Sequence, residues 1–157
     1  MPDQLTLIAL LVHAAATWFM VGLIWFVQIV HYPLFTLIPT SHITPYAASH
    51  QSLTTRVVAP AMLIELVAAV ALFFGRSPNP SYSALLITGA ALLAAAWAST
   101  FLIQVPLHRA LLIPASPAHH AGLLARLVAT NWIRTVAWTI RGAISIAMLQ
   151  SISNLSR

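Results

Sequence analysis

"LTLIALLVHAAATWFMVGLIWFVQIV", residues 5–30, decides the fold class of this chain because it contains no charged residue. About 20 mostly apolar residues in a helix are enough to cross a lipid bilayer. The stretch has no basic start, and it is far longer than the apolar core of a signal peptide. We therefore interpret it as a first membrane span that the mature protein retains.

The whole chain has the composition of an integral membrane protein. Of its 157 residues, 60% are hydrophobic and 6% are charged, whereas a soluble domain carries about a quarter charged residues. The net charge of +5 comes from scattered arginines, and the lack of a basic stripe argues against nucleic-acid binding. The chain has no cysteine, so disulfides, thiol catalysis and thiolate metal sites are excluded.

Three further windows are apolar enough to be membrane spans, namely residues 57–74, 83–105 and 123–149. We predict an all-α fold, an integral membrane four-helix up-down bundle, with residues 1–157 forming a single transmembrane domain. Four spans place both termini on one side of the membrane. The positive-inside rule favours a cytoplasmic position for the opposite face, and we expect a bacterial inner (plasma) membrane.

Most polar side chains lie at span ends that share one side of this predicted bundle. This side holds the C-terminal ends of the first and third spans and the N-terminal ends of the second and fourth spans. The residues are Gln28, His31, His50, Gln104, His108, Asn131 and Arg134. Because bundles build their sites from side chains on facing helices, we predict a polar site at this membrane face.

Glu65 is the only acidic residue after Asp3, and it interrupts an apolar span. At helical rise it lies about 13 Å beyond Arg56, and Arg134 lies about 10 Å beyond Leu127. We therefore expect Glu65 and Arg134 to meet at similar depth. Their contact is either a structural ion pair or part of a site, in which Glu65 is a proton carrier, a metal ligand or a substrate contact.

The fourth span carries a polar stripe. Asn131, Arg134, Trp138 and Arg141 are spaced 3, 4 and 3 residues apart, so they share one helical face. Such a face should point into the bundle rather than towards lipid. The stripe is either a packing seam or an anchor for an anionic group, since guanidinium groups match carboxylates and phosphates.

Three of the seven histidines are candidates for a metal or haem site. His31, His50 and His108, with Glu65, supply the nitrogen and oxygen donors used by non-haem iron, copper or zinc, and a histidine pair can ligate haem. No HxxH, ExxH or HExxH spacing is present, so histidines that merely cap helix ends are the alternative. We expect His13 in the interior, and His42, His119 and His120 in solvated loops.

Two stretches, "VPLHRAL" at residues 105–111 and "NWIRTVAW" at residues 131–138, resemble a family of small four-span membrane proteins. That family includes the anthrone-oxygenase-like proteins and many members without an assigned activity. The resemblance places Pro106, His108, Asn131, Arg134 and Thr135 on its motif positions, although asparagine is frequent where this chain has His108. It implies oxidation of an apolar polyketide anthrone with little cofactor.

These observations give a leading functional hypothesis and an alternative. In the leading hypothesis the chain is an integral membrane protein with a polar site. This site would carry out oxidoreductase chemistry on a lipophilic small molecule that enters from the lipid bilayer. We assign catalytic roles to Glu65, Arg134 and His108, substrate binding to Asn131, Gln104 and Gln28, and metal binding to His31, His50 and His108. The alternative is a non-enzymatic accessory, assembly or small transporter subunit, in which the polar cluster is structural. Either protein could form a homo-oligomer.

Overall fold

The computed structural model describes residues 4–75 and 80–155, and this part of the chain is all-helical. The four long helices are α1 (Gln4–Phe35), α2 (Thr40–Phe74), α3 (Pro80–Ala110) and α4 (Pro117–Leu155). Helix α1 packs against α2 and α4, and α4 also packs against α3, whereas α2 and α3 hardly touch. This pairing leaves a gap between α2 and α3.

Three of the four helices, α1, α2 and α3, are long and apolar enough to cross a membrane. Helix α4 is longer than any of them but less apolar, because Asn131, Arg134 and Arg141 lie within it. All three of these side chains are buried in the protein interior. The prediction that the polar stripe of the fourth span faces inwards is therefore confirmed.

The surface is far more apolar than that of a soluble domain, and the interior holds many polar side chains beside its apolar core. Large apolar side chains such as Leu5, Phe74 and Leu102 are more than two-thirds exposed. The buried set, in contrast, includes many polar and charged residues: His13, Thr17, Gln28, Glu65, Gln104, Asn131, Arg134, Thr135 and Arg141. Exposed apolar side chains around an interior that encloses the charged groups fit a lipid environment, because charged groups inside a membrane face the bundle interior.

The apolar core is divided into three layers along the helices. One layer includes Leu10, Leu72 and Met148, and the middle layer includes Met20, Met62 and Trp138. The third layer, at the ends of α1 and α3 and the start of α4, includes Tyr32, Phe35, Leu107 and Leu127. Buried polar side chains lie between these layers, so apolar packing holds them in place from above and below.

Helices α1 and α3 each contain a π-helical turn near their ends, at Val27–His31 and Thr100–Gln104. A proline follows two residues after each turn, Pro33 in α1 and Pro106 in α3. Proline lacks an N–H group, and its ring clashes with the carbonyl group four residues earlier. In both helices that carbonyl lies inside the π turn, where the wider backbone accommodates the proline without ending the helix.

The predicted span boundaries were too short, most of all for the second span. Helix α2 begins at Thr40 rather than near Val57, so His50 lies within the helix rather than before it. Pro45 and Pro60 both lie inside this helix. The error arose because hydropathy identifies the apolar part of a helix, whereas the helix continues through the polar residues on either side.

Candidate functional site

The polar residues predicted to share one side of the bundle do lie together, around the end of α1. Hydrogen bonds or ring contacts connect members of this group from all four helices: Gln28, His31, His50, Gln104, His108, Asn131 and Arg134. The three histidines expected in solvated loops all lie in helices, His42 in α2 and His119 and His120 in α4. His42 and His119 are exposed as expected, but the expected exposure of His120 was wrong. Its ring is buried, and Nε2 lies 3.1 Å from the Ile113 carbonyl, because the connection before α4 folds over it.

Gln28, in the π turn of α1, joins that helix to α4. Its amide nitrogen donates to the Val128 carbonyl at 3.2 Å, so its side-chain oxygen is the acceptor for Asn131 Nδ2 at 2.9 Å. The Asn131 side-chain oxygen then accepts from Arg134 at 3.3 Å. Gln28 and Asn131 thus position the Arg134 guanidinium, since each amide has only one orientation that satisfies its neighbours.

A second chain of hydrogen bonds leads to His108. Gln104 Nε2 donates at 3.0 Å to Thr130, whose hydroxyl donates to the Arg126 carbonyl. The Gln104 oxygen is therefore an acceptor, and the Tyr32 hydroxyl donates to it at 3.3 Å. His108 Nε2 lies 3.1 Å from the same hydroxyl oxygen, and we assign the proton of the neutral ring to Nε2 because the Tyr32 proton is directed at Gln104.

The remaining ring nitrogen of His108 has the character of a base. In the tautomer assigned above, Nδ1 carries a lone pair rather than a proton. This atom is buried and has no hydrogen-bond partner. Gln51 fixes the backbone of the same residue by donating to its carbonyl at 2.6 Å. His108 is thus held on one side and free to accept a proton on the other.

His31 and His50 form a pair next to His108. Nε2 of His31 lies 3.0 Å from Nδ1 of His50, and the two rings stack at a centroid distance of 4.5 Å. The His50 ring also lies 5.1 Å from the His108 ring, and Phe35 packs edge-on against His50. The three imidazoles that we predicted as one site are therefore neighbours, and an aromatic side chain packs beside them.

The contacts among these histidines are not those of metal ligands. Within residues 4–75 and 80–155, no group of three or more histidine, aspartate or glutamate side chains is arranged to hold a metal ion. His31 and His50 direct ring nitrogens at each other, and Glu65 lies in a separate cluster. Metal or haem binding by His31, His50 and His108 stays a prediction.

A cavity of about 500 Å³ lies beside the polar group. Its wide part is apolar and is formed mainly by Met20, Ile24, Met62, Leu63, Trp97 and Phe101. Its polar end is formed by Tyr32, His50, Gln51, Gln104, His108 and Arg134. The volume falls within the range of pockets that bury a single drug-sized molecule, about 300–1,000 Å³.

This cavity opens sideways, between α2 and α3. The lining residues Leu63 on α2 and Phe101 on α3 are more than half exposed, and the two helices hardly touch. An opening between two apolar helix faces connects the cavity to the surface that the hydropathy assigns to lipid. Residues of all four helices form the polar end.

Arg134 is the only buried cation among the residues that line this cavity in the described part of the chain. It is 7% exposed, and its partners are the Asn131 side-chain oxygen at 3.3 Å and the Tyr32 hydroxyl. No acidic side chain of the described residues forms an ion pair with it. Its Nε atom is buried without a hydrogen-bond partner.

Glu65 lies elsewhere, and the expected contact with Arg134 is wrong. The carboxylate forms an ion pair with Arg141, which also donates to the Gly89 carbonyl. His13 Nε2 and the Thr17 hydroxyl lie 3.3 and 3.4 Å from the same carboxylate oxygen. Counting residues failed here because helical rise gives distances within a helix, whereas the relative height of two helices depends on how they pack.

We call this second cluster, Glu65 with His13, Thr17 and Arg141, closed because the cavity beside it, lined by His13 and Arg141, is small, about 30 Å³. All four side chains are buried, and Glu65 is not among the residues that line the large cavity. His13 Nε2 also lies 3.1 Å from Arg141, which confirms the expectation of a hydrogen-bonded interior histidine. The catalytic role predicted for Glu65 stays a prediction, without a contact that connects this residue to the cavity.

Sequence reasoning missed several residues of the polar end. Tyr32 was not among the predicted site residues, yet it is buried and connects Gln104 to His108. Gln51, Thr54 and Thr130 were overlooked because they lay in predicted loops or carried no formal charge. The available signal was the pair of prolines: Pro33 and Pro106 each follow a glutamine or histidine closely, and mark the two π turns.

Comparisons of this chain with protein-family models, with curated proteins and with solved structures give no match. The resemblance to the anthrone-oxygenase-like family therefore stays a prediction. The functional argument has to rest on the geometry of the cavity and of the residues at its polar end.

Proposed function

We propose that this chain is an integral membrane protein that takes a lipophilic small molecule from the bilayer and acts on its polar end. In this proposal all four helices cross the membrane in an up-down bundle, and the ligand enters between α2 and α3. The observation that carries the proposal is the cavity, which has an apolar wall, a lateral opening and a polar end with an unpaired base.

The chemistry that best fits the polar end is proton transfer. Nδ1 of His108 accepts a proton from an acidic C–H or O–H group of the ligand, and Tyr32 keeps the ring oriented through Nε2. The anion formed on the ligand is stabilised by the nearby Arg134 guanidinium, since donors aimed at a developing charge act strongly in a site without water. A neutral imidazole with a free ring nitrogen can act as a general base.

Oxidoreductase activity is a further step that the family resemblance implies. It would require an electron acceptor for the anion that His108 generates. Metal analysis together with an absorption spectrum of the purified protein distinguishes haem, non-haem metal and metal-free versions of this chemistry. We place the reaction on His108, Tyr32 and Arg134, with Gln28, Gln104 and Asn131 as positioning residues.

The first experiment identifies what the cavity holds. The protein is purified in nanodiscs, and lipophilic compounds are extracted and identified by mass spectrometry. Ala59→Phe places a large side chain in the cavity lining, whereas Ala71→Phe places the same side chain on an exposed part of α2. We expect one compound class to be depleted at least about tenfold by Ala59→Phe alone, which equals about 1.4 kcal/mol of binding free energy. Equal recovery from both variants would contradict the proposal.

The second experiment separates an enzyme from a non-enzymatic membrane subunit, the alternative that the closed Glu65 cluster favours. His108→Gln retains a side chain able to hydrogen-bond Tyr32, but it removes the base. We expect this variant to retain the extracted compound and to lose its conversion by about 100-fold or more, the usual contribution of a general base. Undiminished conversion, or no conversion by the native protein, would support a structural role for the polar residues.

A further inference from the structure

We infer that the molecule bound in this cavity is a lipophilic carboxylic acid, held as its carboxylate by Arg134. The inference rests on the proposed function, because it names the class of ligand that the same cavity would take. It follows from the charges on the residues around the cavity rather than from the cavity's size.

The charge of Arg134 lacks an internal counterion. The chain contains only two acidic residues, Asp3 and Glu65, and Glu65 is engaged by Arg141 and His13. Among the described residues, Arg134 therefore has neutral partners alone. A buried charge without an opposite charge is costly, and an anionic ligand removes that cost each time it binds.

The unpaired atom of the guanidinium also indicates the type of anion. Asn131 and the Tyr32 hydroxyl accept hydrogen bonds from the Arg134 guanidinium, while Nε remains without a partner, as Nε of the ion-paired Arg141 does. A guanidinium offers its donors in a planar fork that matches the two oxygens of a carboxylate. The neutral amides of Gln28 and Asn131 hold this fork in place without consuming its charge.

The rest of the cavity restricts the ligand to a molecule with one apolar body. The apolar wall continues from the polar end to the opening between α2 and α3. A volume of about 500 Å³ suits one drug-sized molecule. A single-chain or polycyclic acid fits this description, with the carboxylate at Arg134 and the body directed towards the opening.

Trp97 lines the cavity and provides a reporter of its occupancy. Bromine quenches indole fluorescence only at contact distance, so dibromostearic acid and its methyl ester form a matched pair of probes. Both are titrated into the protein in phosphatidylcholine nanodiscs. Trp18, Trp25 and Trp132 are also exposed, so the quenching that disappears in Trp97→Phe is taken as the cavity signal.

We expect the acid to bind roughly tenfold to hundredfold more tightly than the ester, the range given by a hydrogen bond to a charged group. Arg134→Gln should abolish this preference by weakening the acid alone. Arg126→Gln, on an exposed position of the same helix, should leave the preference intact. If Arg134→Gln does not fold, the ratio measured for the native protein and for Arg134→Lys still tests the inference.

The outcomes distinguish this inference from the proposed function. Equal quenching by acid and ester would overturn the carboxylate assignment and leave a lipophilic ligand in place. Loss of the preference in Arg109→Gln rather than Arg134→Gln would also overturn it, because Arg109 lines the cavity from an exposed position. Cavity quenching by dibrominated phosphatidylglycerol alone would assign the site to a lipid headgroup. No cavity signal from any probe would contradict the proposed function itself.

Discussion

Two buried arginines on α4 lie seven residues apart and have opposite surroundings. Arg141 is 2% exposed and is neutralised by Glu65, with His13 and the Gly89 carbonyl as further partners. Arg134 is 7% exposed, has no acidic partner among the described residues, and lines a cavity of about 500 Å³. One arginine thus belongs to a closed ion-pair cluster, whereas the other lies beside an open cavity.

The difference shows how a chain with few charges can use one buried arginine to hold its helices together and another to bind a ligand. Its single acid within the described residues is committed to Arg141, where the helices pack closely. Neutral amides, which position a cation without neutralising it, surround Arg134 instead. A buried ion pair can hold helices in register, whereas an uncompensated cation beside a cavity is suited to a ligand.

Removing one member of the buried Glu65–Arg141 ion pair should have the largest effect on the stability of the protein. Glu65→Leu leaves the Arg141 charge buried without its counterion, and we expect a loss of about 3–5 kcal/mol in the free energy of unfolding. Reversible unfolding in mixed micelles measures this loss.

The double variant Glu65→Leu/Arg141→Leu is the matched control. Replacing both charges with apolar side chains removes the uncompensated charge, so the double variant should be more stable than Glu65→Leu alone. A double variant that is less stable than either single variant would show that the pair itself contributes most of the stability.

The sequence predicted the polar group well but not which charges meet. Helical composition, the inward polar stripe and the gathering of Gln28, His31, His50, Gln104 and His108 all follow from hydropathy and from which helix ends are neighbours. The sequence does not show that Glu65 pairs with Arg141 rather than with Arg134, because the pairing depends on the relative height of α2 and α4. Side-chain packing between the helices sets that height, and counting residues along one helix does not give it.

The cavity was beyond the sequence, and the only sequence signals of the two π turns were Pro33 and Pro106. A cavity exists because α2 and α3 hardly touch, a property of the assembled helices rather than of any one segment. The π turns change which residues face inwards: Gln28 and Gln104 both lie within them and are buried. An ideal helix drawn through these segments gives the wrong face for the residues that follow.

The close packing around Arg141 gives the second prediction. A Cβ atom added to Gly142 would lie 3.1 Å from Val21 and 3.3 Å from Trp18 on α1, whereas nothing lies within 4 Å of the same atom at Gly122. We expect Gly142→Ala to lower the free energy of unfolding by about 1–3 kcal/mol, the usual cost of overpacking.

Gly122→Ala, on the same helix, is the control for helix propensity. It should stabilise the protein by about 0.5–1 kcal/mol, since glycine inside a helix is less favourable than alanine by that amount. Similar changes in both variants would mean that α1 can move away from α4, and that the closed region is less tightly packed than the distances indicate.

The smallest effect on stability is expected at Arg134, although this residue is as charged and nearly as buried as Arg141. Arg134→Leu removes a charge without an acidic partner and costs its hydrogen bonds to Asn131 and the Tyr32 hydroxyl, each worth about 1 kcal/mol. Relief from burying the unpaired charge offsets that loss, so the free energy of unfolding should change by no more than about 1 kcal/mol. Unfolding in the same mixed micelles as Glu65→Leu allows a direct comparison. A loss as large as that of Glu65→Leu would mean that Arg134 holds the helices together, and the contrast between a closed and an open arginine would no longer stand.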